Sequence, residues 1–364
     1  MRLLDKQHIE DIAIGSAVLG TGGGGNPYLG KLTAQRAIDQ YGLLKLVKVD
    51  ELPDDTLVVA PFGIGSPVPF IERLTIDEDL MYAYKAMTRY LGREIGAIMS
   101  AEIGGMNSVV PFALAARLGL PVLDLDGMGR AFPQLQLTTL TMYGHNASPV
   151  AVADEHGNVV IVDSIDNFWA ERLARPAAIE FGAIAGGVGF PITVGDLKEA
   201  AVLDTVTLAE TIGREIREAR QEHRDPIKAV TDTTNGFRVF SGRIVDVSRQ
   251  IERGWALGET TIMGGDEYAG RSMTIQFQNE HLVAMENGEV VVSVPDLIAI
   301  LDSERGDPIT TEDLRYGFRV TVLGMPCDEK WRTPAGLALA GPDHWGYEVP
   351  FVPVEERFAV GATR

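Results

Sequence analysis

The residues best suited to chemistry are three carboxylates and one arginine in the first half of the chain. Glu102 opens the segment EIGGMNS, and Asp124, Asp126 and Arg130 lie within LDLDGMGRAFPQ. Because Asp124 and Asp126 alternate, both side chains point to the same side of an extended strand. Two such carboxylates repel each other, which raises the pKa of one of them or requires a cation. Arg130 or a divalent metal could be that cation; alternatively, DGMG forms an Asx-type turn with a structural Arg–Asp pair.

Glu102 and Asn107 follow a predicted strand at 95–100, and the Asp124–Arg130 segment follows another at 121–125. In open parallel α/β sheets, ligands bind outside the carboxyl ends of the strands. We therefore expect Glu102 and Asn107 to belong to the same site as the two aspartates. In the alternative interpretation, Glu102 or Asn107 only caps the helix that follows.

The segment TGGGGNP supplies a third group of candidates, Gly22 to Gly25 and Asn26. Consecutive glycines permit positive φ and let backbone N–H groups approach a ligand closely. The segment is no phosphate loop of known type, because no GK[ST] follows and a predicted helix, not a strand, precedes it. The alternative is a tight turn packed against the sheet. PFGIGSP, 61–67, also has the glycine and proline content of a site-lining loop.

A metal site is possible on the carboxylates but has little support from other ligands. Oxygen ligands from Glu102, Asp124 and Asp126 would suit a divalent ion such as Mg²⁺, Mn²⁺ or Zn²⁺. The chain has no HxH or HExxH pair, and zinc usually recruits His or Cys, so a metal-free site is favoured. No motif specifies a cofactor. The single cysteine, Cys327, is more typical of a small buried hydrophobe than of a nucleophile.

These segments must be positioned by the elements around them, and in the first half helices alternate with short apolar runs. Helices are predicted at 8–20, 32–40, 79–91 and 106–118, and strands at 44–49, 56–61, 95–100 and 121–125. This order predicts an α/β domain with a mainly parallel sheet. The EHGN turn between 150–153 and 159–162 predicts a hairpin.

The second half has a different pattern. A helix at 204–223 is predicted from one apolar stripe opposed by charged residues that include Arg217. The stripe consists of Leu208, Ile212, Ile216 and Ala219. Beyond Pro226, short alternating segments and the turn ENGE at 286–289 predict strands and hairpins. A chain of 364 residues usually forms two domains. We expect an α/β ligand-binding domain at 1–170 and, at 171–364, a helix followed by a smaller β-rich domain.

Charge and hydropathy exclude several classes of partner. The net charge of −19 argues against nucleic acids, which are bound through clustered Lys and Arg, and against anionic membrane surfaces. No run of about 18 apolar residues predicts a membrane span. The first residues lack the apolar core of a signal peptide. We therefore expect a cytoplasmic protein that binds a small molecule and forms a homo-oligomer.

Several motifs, taken in order, resemble one bacterial family. They include LGTGGGGNPYLG, EIGGMNS, PFALAARLGLPVLDLDGMGRAFPQLQ, VADEHGN, TIQFQNEHLVA and GPDHWGYEVPFVPVE. Together they resemble the hydantoinase/oxoprolinase-associated family, also called S-methyl-thiohydantoin desulfurase-like, over nearly the whole chain. The resemblance implies an N-terminal α/β domain, a β-rich C-terminal domain, and hydrolysis of a five-membered cyclic ureide at its C–S carbon. Two positions depart from the family pattern, which has Glu where this chain has Gln134 and Lys where it has Arg73. If that Glu is the family's base, this chain acts on another substrate or hydrolyses more weakly.

On this basis water attacks the C–S carbon and releases a thiol. The base is a carboxylate of Asp126, Asp124 or Glu102, with Asp126 preferred because it begins the DGMG turn, and Cys327 is dispensable. The expected substrate-binding residues are Gly22, Gly23, Gly24, Gly25, Asn26, Asn107, Arg130 and Gln134. Two alternatives remain open: an accessory partner of a hydantoinase- or oxoprolinase-type enzyme, and an amidohydrolase of another hydantoin, imide or lactam ring.

Overall fold

The computed structural model describes residues 1–65, 77–252 and 255–358. The described helices are α1 (Lys6–Leu19), α2 (Tyr28–Tyr41), α3 (Asp77–Leu91), α4 (Val110–Leu118), α5 (Thr139–Met142), α6 (Asn167–Glu180), α7 (Val194–Ala200), α8 (Thr205–Gln221), α9 (Pro226–Thr234), α10 (Pro334–Ala340) and α11 (Val354–Phe358). The strands of the first half of the chain are β1 (Arg2–Leu4), β2 (Leu44–Val47), β3 (Leu57–Gly65), β4 (Ala97–Ile98), β5 (Val122–Leu123), β6 (Leu125–Asp126), β7 (Val150–Ala153) and β8 (Val159–Val162).

One eight-stranded sheet organises this half, in the order β1-β2-β5-β4-β3-β9-β7-β8, where β9 is Ile184–Thr193. The pairs β2–β5, β5–β4 and β4–β3 are parallel, whereas β1–β2, β3–β9, β9–β7 and β7–β8 are antiparallel. The sheet is therefore mixed, and the expectation of a mainly parallel sheet is corrected. The predicted hairpin around EHGN is confirmed as β7–β8.

Strand β9 makes the sheet mixed because it inserts between β3 and β7 and runs antiparallel to both. Its sequence, IAGGVGFPIT, contains three glycines and therefore lacks the alternation of polar and apolar side chains that is typical of a half-buried strand. The glycines allow close packing instead. A Cβ on Gly186 would lie 2.6 Å from the backbone nitrogen of Leu80, and one on Gly187 would lie 2.4 Å from the ring of Phe62. Any larger residue would collide with α3 or β3.

The last part of the chain forms a seven-stranded sheet in which all adjacent pairs are antiparallel. Its strands are β11 (Phe237–Glu252), β12 (Trp255–Gly264), β13 (Ser272–Gln278), β14 (Glu280–Glu286), β15 (Glu289–Ser293), β16 (Leu297–Asp302) and β17 (Arg319–Met325). The expected ENGE hairpin joins β14 to β15, with Asn287 and Gly288 at φ values of 49° and 88°. Two consecutive positive φ angles suit a tight hairpin turn. This hairpin and the seven-stranded sheet confirm the predicted β-rich region.

Helix α8 packs against α1 at very short range. A Cβ on Gly213 would lie 1.9 Å from the carbonyl oxygen of Asp11, so glycine is required for this approach. Ile212, Ile216 and Ala219 are fully buried as predicted, while Leu208 is only partly buried. Arg217, which the pattern places on the charged face opposite the stripe and which we would expect to be an ordinary surface residue, is instead half-buried and paired. Its Nε and Nη2 each donate to an oxygen of the buried Asp11 carboxylate at 2.9 Å.

Chain order and spatial order differ around residue 170. Strand β9 lies beyond this position in the chain and yet sits inside the first sheet, and β10 (Val202–Leu203) pairs with β6. The division of domains at 170 thus stays a prediction. Within the described ranges, no helix combines the length and apolarity needed to span a membrane.

Candidate functional site

A cavity of about 480 Å³ lies at the carboxyl ends of β3 and β4. The three predicted segments all reach it: Gly24, Gly25 and Asn26 from the glycine-rich segment, Glu102, Met106 and Asn107 from the second, and Met128 from the third. The segment after β3 contributes Gly63 to Gly65, whereas residues 66 and 67 of PFGIGSP lie outside the described part of the chain. The remaining wall comes from residues of α2, the 132–138 segment, α6, β9 and the C-terminal region.

The glycine-rich segment is shaped by close backbone contacts. The Met106 N–H donates to the Gly24 carbonyl at 2.9 Å, and a Cβ on Gly24 would lie 2.6 Å from the Gly104 carbonyl oxygen. Gly22 and Gly23 do not line the cavity, because they pack against His281 and Glu280. Gly24 and Gly25 have φ values of 69° and 74°, which favour glycine. The segment therefore combines both interpretations: tight packing at Gly22–Gly23 and cavity lining at Gly24–Asn26.

Glu102 is a buried carboxyl that faces the cavity. Its Oε1 accepts a hydrogen bond from Asn107 Nδ2 at 2.8 Å, while its Oε2 is buried with no partner. Burial raises the pKa of Glu102 to about 8, although the hydrogen bond from Asn107 acts in the opposite direction. A carboxyl with such a pKa carries its proton at neutral pH and can donate it.

Asn107 holds Glu102 in place by bridging it to the sheet. Its Oδ1 accepts from the Gly63 N–H at 2.8 Å, and its Nδ2 donates to the Gly63 carbonyl at 3.3 Å as well as to Glu102. Since both ends of this amide are engaged, Asn107 is a positioning residue more than a free ligand for a substrate. It nonetheless lines the cavity as expected.

Glu280 is a second buried carboxyl on the same cavity, and sequence reasoning missed it. Its Oε1 accepts the Gly24 N–H at 3.1 Å, and its Oε2 is buried without a partner. Burial and the neighbouring Glu102 raise the pKa of Glu280 well above its ordinary value, and Arg130 acts in the opposite direction. The motif TIQFQNEHLVA contains Glu280, but β-strand alternation alone gave no reason to select it.

Arg130 lies beneath the cavity and does not line it, so the expected direct contact with a substrate is not supported. The guanidinium is fully buried and donates to the carbonyls of Pro295 (2.6 Å) and Asp296 (3.1 Å) and to the Thr21 hydroxyl (3.0 Å). Burial lowers its pKa to about 10, and Glu280 is the principal carboxylate that counteracts this. Arg130 thus supplies one buried positive charge that acts on Glu280.

Asp126 and Asp124 are also placed away from the cavity. The fully buried Asp126 accepts the N–H groups of Ile103, Met128 and Gly129 at 2.8–3.0 Å, so it fixes the two loops to each other. Burial raises its pKa to about 7. Asp124 accepts the Thr207 N–H at 2.9 Å and holds the beginning of α8. The Asx-type turn, considered above as an alternative, describes Asp126 better than the role of catalytic base.

The three carboxylates do not form the metal site considered above. Glu102 faces the cavity, while the oxygens of Asp124 and Asp126 accept hydrogen bonds elsewhere. Among the residues that the structure describes, no group of three or more His, Cys, Asp or Glu side chains is arranged to hold a metal ion.

Two further predicted positions have different outcomes. Gln134 lines the cavity, and its Oε1 accepts from Gln136 Nε2 at 2.7 Å, whereas Arg73 lies outside the described residues. Cys327 is buried away from the cavity lining, and burial together with Asp296 raises its thiol pKa well above the usual range. Such a thiol is a poor nucleophile.

Helix α6 and strand β12 close another side of the cavity with groups that the sequence did not reveal. Arg175 pairs with Glu171, donates to the Pro133 carbonyl at 3.3 Å and stacks on the Trp255 ring, with its guanidinium carbon 4.3 Å from the ring centroid. Glu171 in turn accepts the Leu135 N–H at 3.2 Å. These contacts connect α6, the 133–135 segment and β12 across the cavity.

Comparisons with known proteins agree with this architecture. Residues 7–164 match the model of the S-Me-THD-like N-terminal domain, and residues 165–354 match that of the S-Me-THD-like C-terminal domain. The crystal structure of a protein from Chromobacterium violaceum is similar in fold, with a TM-score of 0.81 and 22% identity, over 97% of this chain and 100% of the other. Comparison with curated proteins gave no significant match. The expected two-domain organisation is confirmed.

Proposed function

The chain belongs to the S-Me-THD-like family, and from this premise we propose that it hydrolyses an S-alkyl thiohydantoin or a closely related cyclic ureide. The proposed reaction replaces the S-alkyl group by oxygen and releases a thiol. The observation that carries the proposal is the pair of carboxyls, Glu102 and Glu280, which line one cavity and each of which has one buried oxygen without a hydrogen-bond partner.

The charge balance of the pair favours acid–base chemistry. Two carboxyls share this buried region with one guanidinium, that of Arg130. The nearby Asp296 has its own cation, because it pairs with Arg332 at 3.0 Å. One cation compensates one carboxylate, and a second uncompensated buried charge is costly. The pair therefore holds one proton at neutral pH. We propose that Glu102 holds the proton and Glu280 the negative charge: burial raises the pKa of both carboxyls, and the charge of Arg130, which acts on Glu280, favours ionisation of that carboxyl.

The first step uses both groups. Glu102 donates its proton to the ring nitrogen of the C=N bond, while Glu280 removes a proton from water as the water oxygen bonds to the C–S carbon. In the second step Glu280 returns a proton to the departing sulfur as the C–S bond breaks. Glu102 takes the hydroxyl proton as the ring carbonyl forms. Both side chains thus return to their starting states, and a positioned acid or base of this kind contributes roughly 10²–10⁴-fold to the rate.

The ring would be held by groups that surround the carboxyls. The Gly25 and Asn26 segment and the Gln134 amide, whose carbonyl is turned towards Gln136, are the polar candidates on the cavity wall. Hydrogen bonds from such fixed groups would orient a small planar ring and select it against rings that lack the matching oxygen or nitrogen.

The test is a thiol-release assay on S-methyl-thiohydantoins with wild type, Glu102→Gln and Glu280→Gln. Each variant should lose roughly 10²-fold or more, because glutamine keeps the shape and removes the titrating group. Glu210→Gln is the matched control, since Glu210 is equally buried but does not line the cavity. Hydrolysis in heavy-oxygen water should place the label on the ring carbonyl.

Three results would contradict the proposal. Wild-type protein that releases no thiol from any such ring would refute the reaction. Activity in both glutamine variants close to that of the Glu210→Gln control would refute the roles of Glu102 and Glu280. A Cys327→Ser protein that folds but is inactive would indicate covalent catalysis instead.

A further inference from the structure

We propose that the natural substrate carries a bulky apolar substituent, aromatic in the best case, on the ring that is hydrolysed. This inference rests on the proposed function and names the class of its substrate. It is carried by the size of the cavity and by the aromatic groups on its wall.

The cavity is too large for the bare ring. An S-methyl-thiohydantoin without a substituent has about eight non-hydrogen atoms, and even at the roughly 30 Å³ that one liquid water occupies these fill about 240 Å³. The cavity measures about 480 Å³, so half of it stays unfilled. Ligand sites usually bury most of the ligand surface, which indicates a larger molecule.

The wall closest to Glu102 is aromatic and rigid. Asn107, which bonds Glu102, also bonds Gly63, and the neighbouring Phe62 lines the cavity. Its ring lies against Gly187 of β9, where a Cβ would approach it to 2.4 Å. A side chain packed closely on the β9 backbone in this way keeps a fixed orientation, and a ring substituent could stack on it.

Phe190 extends the same wall from an unusual backbone conformation. Its φ of 50° is rare for a bulky residue, and such a conformation persists only where the surrounding structure imposes it. The Phe190 N–H donates to the Ala147 carbonyl at 2.9 Å, and the ladder between β3 and β9 is irregular near this point. Phe190 belongs to the cavity wall with a side chain that is 1% exposed, at a position where glycine or asparagine would suit the backbone better.

The charges around the cavity disfavour an acidic substituent. Of the described lining residues, Arg175 is the one cationic side chain, and its charge is already paired with Glu171. Glu312 and Asp313 line another part of the cavity and would repel a carboxylate. A neutral aromatic group can instead use the Trp255 ring, which Arg175 holds in place.

The experiment measures binding of hydantoins, which have no sulfur leaving group, by titration calorimetry. The series carries hydrogen, methyl, isobutyl, benzyl, carboxymethyl or aminobutyl at the ring carbon. Benzylhydantoin should bind roughly 10- to 100-fold more tightly than the unsubstituted ring, as expected for burial of a phenyl group. Isobutyl should be intermediate, and carboxymethyl should be the weakest.

Two variants locate the substituent. Phe190→Leu and Phe62→Leu should each reduce the benzyl preference, which is the ratio of the affinities for benzylhydantoin and the unsubstituted ring, by roughly 3- to 10-fold, because leucine removes the aromatic face but retains apolar volume. Phe318→Leu is the matched control, since Phe318 is 43% exposed and does not line the cavity. An unchanged benzyl preference in both cavity variants would overturn the placement.

The outcomes separate this inference from the proposed reaction. If benzylhydantoin binds preferentially but no S-methyl compound is hydrolysed, the substrate class stands and the reaction fails. If thiol is released and the unsubstituted ring binds as tightly as the benzyl compound, the reaction stands and this inference fails. Preferential binding of the aminobutyl compound would assign the space to a cation near Glu312 and would overturn the inference, as would a series in which nothing binds.

Discussion

Replacement of Glu102 by glutamine should change how the stability of the protein depends on pH. In the folded chain Glu102 is 6% exposed, and burial raises its pKa from 4.5 to about 8. In the unfolded chain the same carboxyl titrates near its ordinary value. Between these two pKa values the folded state holds a proton that the unfolded state has already released.

The sign follows from this difference in bound protons. Because the folded state binds more protons than the unfolded state, the free energy of unfolding of the wild type falls as the pH rises between 4.5 and about 8. Each unit of pKa difference corresponds to about 1.4 kcal/mol, so the free energy of unfolding falls by up to about 5 kcal/mol between the two pKa values. This is an upper value, because the interior relaxes around a charge. Glu102→Gln has no such titration, so its stability relative to the wild type should increase steadily from pH 5 to pH 8.

The measurement is urea denaturation of wild type and Glu102→Gln at several pH values from 5 to 9. Glu180→Gln is the control, since Glu180 lies exposed at the end of α6. We expect the stability difference between Glu102→Gln and wild type to grow by several kcal/mol over this range and to level off above pH 8. A difference that stays constant within about 1 kcal/mol, as for the control, would show that Glu102 is ionised in the folded protein at neutral pH.

The same protonation predicts that thiol release falls as the pH rises above about 8, where Glu102 loses the proton it must donate, and a pH–rate profile checks this. Asp126→Asn should destabilise the fold by about 2–4 kcal/mol, because an amide NH₂ would face three backbone N–H donors. The folded variant should nevertheless keep its activity within about tenfold of the wild type. A variant of full stability that loses its activity would indicate that Asp126 is the base. Arg217→Ala should cost about 1–3 kcal/mol in chemical denaturation, since it leaves the buried Asp11 carboxylate with only the Gln7 amide as a partner, and a cost near zero would contradict the pair. Ile212→Ala should cost about 2–5 kcal/mol as a core truncation, and a cost below about 1 kcal/mol would mean that this face of α8 is not packed.

Local patterns were sufficient for the elements whose physics is local. The stripe of α8 follows from the helical period, and it buries Ile212, Ile216 and Ala219. The ENGE hairpin follows from the positive φ that Asn287 and Gly288 tolerate. The placement of polar residues after strands also predicted that the segments around Glu102 and Met128 reach one cavity, since parallel strands end at one edge.

The roles of individual side chains depended on contacts between residues far apart in the chain. Glu280 reaches the site because its carboxyl accepts the Gly24 N–H, 256 positions away, and no sequence window contains both. Asp126 looked like a base, but three backbone N–H groups occupy its oxygens. Arg130 looked like a ligand for the substrate, but carbonyls near Pro295 take its hydrogens. Residue types thus determined which groups could do chemistry. Tertiary hydrogen bonding decided which of these groups line the cavity with an oxygen that has no hydrogen-bond partner. A buried polar group acts on a ligand only where the fold has not already given it a hydrogen-bond partner.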